Sequence, residues 1–139
     1  MSRRSDHGFV TLWVLGLAMV LLFVGGLALD LWRAFSERRA IAAMADAAAV
    51  AGASGIDEGA FRRDGTVVLD PGRAEALAYR NLDAQSDRRS LTGAVAVARP
   101  ESVTVTARGE VAFTLLRVFM RGEPLAISVT ATADPRASP

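Results

Sequence analysis

Residues Phe9 to Leu29 form one apolar run, FVTLWVLGLAMVLLFVGGLAL, with no charged side chain in it. About 20 apolar residues at about 1.5 Å rise per residue match a hydrocarbon layer of about 30 Å. A single segment can cross that layer only as a helix, because a helix satisfies its own backbone hydrogen bonds. This feature restricts the chain more than any other. It predicts a membrane-anchored protein in which residues 1–8 are a short basic leader and 9–29 a transmembrane helix.

A cleaved signal peptide is the competing reading. Arg3 and Arg4 suit its basic region, and Gly26 and Ala28 supply a small-x-small pair. The apolar run exceeds the usual length of about 7–15 residues, so retention of the span is expected. Charge does not orient it: Arg3 and Arg4 precede the run, and Arg33, Arg38 and Arg39 follow it closely.

Past Leu29 the chain reads DLWRAFSERRAIAAMADAAAVAGA, without proline and rich in strong helix formers. A juxtamembrane helix over 30–53 is predicted, continuous with the span and ended by Gly52 and Gly55. Trp32 suits the headgroup level. Asp30, Arg33 and Glu37 are spaced three and four apart, on one helix face. They read either as a solvated exit from the bilayer or as contacts between subunits. Ala43, Ala47 and Ala51 form one four-spaced row, and Ala45 and Ala49 another. Small residues at this spacing let backbones approach closely. The rows predict a packing face against a sheet or a second copy of the chain, with Asp46 needing a partner if buried.

The remainder, 54–139, predicts one small α+β domain, since 139 residues less the span leave too little for two. Ser54–Asp64 reads as a loop and Thr66–Leu69 as a short strand. Asp70-Pro71 reads as a helix start, N-cap then proline, with a short helix to Ala84 whose apolar face is Ala74, Leu77, Ala78 and Leu82. Ser86–Gly93 reads as a polar loop. The period then changes to two. Val95 and Val97 alternate with alanines; after Arg99-Pro100, Val103, Val105, Ala107, Gly109, Val111 and Phe113 share one parity; Ile127, Val129, Ala131 and Ala133 form a last strand. This predicts an antiparallel sheet with one wet face, and a bulge at Gly109. The intervening TLLRVFMRGEP carries an apolar cluster, Leu115, Leu116, Val118 and Phe119. It either folds over the sheet or touches the membrane or a partner.

Chemistry is sparsely supplied. The formal net charge is +1 and the basic residues, all arginine, are scattered, which argues against nucleic acid. Cysteine is absent, and His7, ahead of the span, is the only histidine. That excludes thiolate or multi-histidine metal sites and any histidine-based catalytic dyad. No phosphate-binding glycine motif occurs. No enzymatic activity and no cofactor are expected.

The stretch Gly26 to Ala53, GLALDLWRAFSERRAIAAMADAAAVAGA, preceded by the Arg4–Gly8 leader, resembles TadE/TadG-like proteins. These are pseudopilin-like components of the bacterial tight-adherence (Flp) pilus and secretion machinery. The resemblance rests on the Gly-Leu-Ala-x-Asp exit at Gly26–Asp30, the pair Arg38 and Arg39, and the Ala-Asp-Ala-Ala-Ala block from Ala45 to Ala53. It covers roughly the first 55 residues. It implies a structural role in pilus or secretion assembly, self-association through the N-terminal helix, an extracytoplasmic C-terminal domain, and assembly contacts at Gly26, Asp30, Arg33, Arg38, Arg39, Asp46 and Ala47. It also implies a prepilin-type cut between Gly8 and Phe9, although Trp13 stands where such precursors carry glutamate. The alternative is a membrane-anchored extracytoplasmic sensor or cargo-binding module, which a defined apolar pocket under the sheet would favour.

Overall fold

The computed structural model describes residues 6–85, 91–116 and 123–136. Six elements follow in order: α1 (Asp6–Ala53), α2 (Glu58–Asp64), α3 (Pro71–Ala84), β1 (Leu91–Arg99), β2 (Ser102–Val111) and β3 (Leu125–Ala133). The fold is α+β: a long N-terminal apolar helix and a small antiparallel sheet of order β1-β2-β3 with helices. The chain forms two compact units. One comprises Met1–Phe35 and Ala112–Pro124; the other comprises Ser36–Val111 and Leu125–Pro139.

In the second unit, α1 lays Ile41, Met44, Ala45, Ala48 and Ala49 into the core. Their spacing of three and four is that of one helix face. Ala74, Ala78 and Leu82 of α3 and Ala96, Ala98, Val103, Val105, Ala107 and Ala131 of the sheet complete it. So many alanines bring backbones close together. A Cβ on Gly52 would stand 3.0 Å from the carbonyl oxygen of Ala74, and one on Gly55 would stand 2.9 Å from the Ala74 backbone. The buried row is therefore Ala45 and Ala49, with Ala48, whereas Ala43 and Ala47 are exposed and Ala51 half-buried.

β2 carries the expected parity, with Val103, Val105, Ala107, Gly109 and Val111 buried. On its wet face two threonine pairs bridge to β3: Thr104 to Thr132 at 3.1 Å and Thr106 to Thr130 at 3.2 Å. On β1 the alanines face the core and Val95 and Val97 face out, because the alanine-lined helices leave little depth on the inner side. The bulge expected at Gly109 lies opposite it. The register steps between Leu91 and Gly93 on β1, while β2 and β3 pair without interruption through Gly109 and Ile127. α3 also guards the β1 edge. The Tyr79 hydroxyl accepts the Ala96 N–H at 3.1 Å, and a Glu75 carboxylate oxygen accepts the Ala98 N–H at 3.0 Å. Those donors would otherwise be open to another strand.

Three local expectations need revision. Ser54–Asp64 is not all loop: Asp57 caps α2 by accepting from Gly59 N at 2.8 Å and Ala60 N at 3.0 Å, and Gly65 ends it with φ 75°. An aspartate N-cap and a left-handed glycine define a helix even at seven residues. Thr66–Leu69 is not a strand but a single bridge, Ile56 to Leu69. Its backbone bonds go to scattered partners, with Asp57 N donating to Val68 O and Leu69 N to Pro100 O. The expected Ser86–Gly93 loop falls partly outside the described residues, and β1 has begun by Leu91. The Asp70-Pro71 start holds as read: Asp70 Oδ1 accepts from Arg73 N at 3.1 Å.

Candidate functional site

Within the first unit, three residues of α1 share a face: Gly26, Asp30 and Arg33, four and three positions apart. Against that face lies the segment following β2. Asp30 Oδ1 accepts the backbone N–H of Thr114 at 3.0 Å. Asp30 Oδ2 accepts those of Leu115 at 2.7 Å and Leu116 at 3.0 Å. Arg33 adds a side-chain bond, Nη1 donating to Thr114 Oγ1 at 3.3 Å. Gly26 makes room one helical turn away, where a Cβ would overlap the Leu115 side chain.

Three successive backbone N–H groups converging on one carboxylate form a concave cluster of donors that favours negative charge. Asp30 is 2% exposed and is the only buried charged residue among those described. A buried carboxylate without partners would be costly; this one is saturated. The bond from Leu116, with those from Thr114 and Leu115 and the nearby Arg33 charge, holds the Asp30 carboxyl below its ordinary range against the opposing effect of burial. The arrangement is a clasp: it fastens a distant backbone turn to a helix.

The remaining sequence-predicted residues lie elsewhere. Arg38 and Arg39 are exposed on α1. Asp46 and Ala47 are exposed beside the buried Ala45 and Ala48, so Asp46 needs no internal partner. The Gly8–Phe9 bond lies in the first turn of α1. Of the apolar cluster after β2, Leu115 and Leu116 join the clasp; Val118 and Phe119 lie outside the described residues. Sequence reasoning singled out Gly26, Asp30 and Arg33 as family-motif or assembly contacts and gave no sign of their intrachain partners Thr114 to Leu116. A backbone donor leaves no trace in residue identity, and the one available signal was the apolar cluster itself.

Comparison with curated proteins and with solved structures returns no match. Residues 8–55, which contain the apolar run, all three helix residues of the clasp and the alanine block, match the family model of Flp pilus-assembly TadE/G-like proteins.

Proposed function

We propose that the protein is a membrane-anchored, pseudopilin-like structural component of a Tad/Flp pilus or a related secretion apparatus. The observation that carries this reading is an overlap. The family match over residues 8–55 takes in both the apolar run and the clasp acid Asp30. α1 from Phe9 onward is long and apolar enough to cross a bilayer, and none of its most apolar stretch is buried by the rest of the chain. In this reading Phe9–Leu29 spans the membrane, and the domain built on the sheet lies outside the cytoplasm. Exposed Arg38, Arg39, Asp46 and Ala47 are then available to other pilus components or to a second copy of the chain.

Membrane fractionation followed by N-terminal determination of the mature chain tests the anchor and its processing together. A full-length membrane-bound chain identifies a permanent anchor, and a chain starting at Phe9 identifies a cleaved pseudopilin. A soluble product lacking the apolar run refutes the anchor. A reporter active only in the cytoplasm, fused after Pro139, should be silent. Co-purification with products of neighbouring secretion-ATPase operons tests the assembly role.

A further inference from the structure

The apolar surface of the first unit does not stop at Leu29. Leu29, Leu31, Trp32 and Phe35 are all exposed, Trp32 by 70%. The one acid among them is hidden under backbone N–H groups. Arg33 is the remaining charge before Phe35, and its guanidinium donates to Thr114 Oγ1 at 3.3 Å within the same cluster. From Phe9 to Phe35 the helix is about 40 Å long at about 1.5 Å per residue. That exceeds a hydrocarbon layer of about 30 Å and approaches the thickness of a bilayer with its interfacial layers, about 40–45 Å.

Leu115 supplies the depth marker. Its side chain occupies the space that a Cβ on Gly26 would need, and Gly26 lies inside the apolar run, one turn inward of Asp30. Whatever medium surrounds Gly26 also meets Leu115. At that depth there is little water to accept a backbone N–H, and N–H groups without a backbone carbonyl partner are tolerated only where other protein groups satisfy them. The Asp30 carboxylate does this for Thr114, Leu115 and Leu116 together.

We infer that the turn Thr114–Leu116 is a second membrane contact, dipping into the lipid interface beside the span, with Asp30 as its acceptor and with Trp32 and Phe35 as interfacial neighbours. The inference rests on the reading of Phe9–Leu29 as a span. It explains why a carboxylate sits at the end of an apolar helix. The acid does not mark where water begins; it makes a turn of backbone tolerable to lipid.

The chain has no cysteine, so single cysteines can be introduced and labelled cleanly. The full-length protein, in phosphatidylcholine vesicles, would carry a bimane fluorophore at Leu116→Cys, at Leu22→Cys within the span, or at Glu101→Cys in the β1–β2 turn. Quenching is read with nitroxide-bearing lipids and, separately, with aqueous iodide. Leu116→Cys is expected to match Leu22→Cys, quenched from the lipid and shielded from iodide, with Glu101→Cys the reverse. A Leu116 label that behaves like the Glu101 label, while Leu22 remains in lipid, overturns this inference and leaves the span intact. A Leu22 label open to iodide overturns both. Thr114→Cys repeats the reading if Leu116→Cys disturbs packing. Adding Asp30→Ala should move the Leu116 label from lipid to iodide; a label that stays in lipid removes Asp30 from the mechanism.

Discussion

The backbone N–H of Leu116 donates to Asp30 Oδ2 at 3.0 Å across 86 positions of sequence. The contact makes the helix exit and the segment after β2 a single local structure. Asp30→Ala removes the acceptor for three adjacent N–H groups. The expected outcome is a selective rise in amide hydrogen exchange at Thr114, Leu115 and Leu116, with β2 and β3 amides unchanged. Asp30→Asn keeps one acceptor oxygen and should fall between. Uniform exchange across the sheet in both variants would show that the clasp is no separate unit.

The clasp should also respond to acid. Its hydrogen bonds favour ionised Asp30 and hold the carboxyl below its ordinary range. The stabilisation is therefore complete above the ordinary aspartate value of about 4 and is lost as the pH falls through the lowered folded value. Between about pH 5 and 8 nothing should change. The Leu115 amide proton shift, followed by NMR in detergent micelles, should titrate with a midpoint below the ordinary aspartate range. A midpoint at or above that range contradicts the geometry.

The two alanine rows should separate on mutation. Ala48 is fully buried, so Ala48→Leu overpacks the core and should cost about 1–3 kcal/mol. Ala47 is exposed, so Ala47→Leu should change stability by no more than about 0.5 kcal/mol. Thermal unfolding of the two variants distinguishes them. If Ala47→Leu keeps stability yet abolishes pull-down of pilus components, Ala47 belongs to an intermolecular face.

Gly55 and Gly72 offer a matched pair. A Cβ at Gly55 would stand 2.9 Å from the backbone of Ala74, which cannot swing aside as a side chain can. Gly55→Ala should destabilise by about 1–3 kcal/mol. At Gly72, in the first turn of α3, the nearest atom is Asp70 Oδ1 at 3.5 Å. Gly72→Ala should be neutral or stabilising by up to about 1 kcal/mol, from helix propensity. Chemical denaturation of both variants checks the contrast.

Tyr79→Phe deletes only the hydroxyl that accepts the Ala96 N–H at the β1 edge. The expected cost is about 0.5–1.5 kcal/mol, with faster exchange of the Ala96 amide. Aggregation that rises with Tyr79→Phe would show that α3 protects this edge from strand pairing.

The sequence alone determined the elements whose signals are local. An uncharged run of span length, the Asp70-Pro71 helix start and the period-two alternation of Val103 to Val111 each act through backbone sterics, capping or burial within a few residues. They were legible because nothing distant competes with them. Asp57 and Gly65 were legible too, and the helix between them was missed by giving its charge and glycine content more weight than its caps. Tertiary structure decided what depends on partners. It chose Ala45 and Ala49 over Ala43 and Ala47, since a helix of small residues has several equivalent rows and only the sheet selects one. It turned Val95 and Val97 outward, since alternation fixes which residues share a face but not which face is covered. It also brought Thr114, Leu115 and Leu116 to Asp30, since every non-proline residue carries the same N–H and only the path of the chain determines which carboxylate that donor meets.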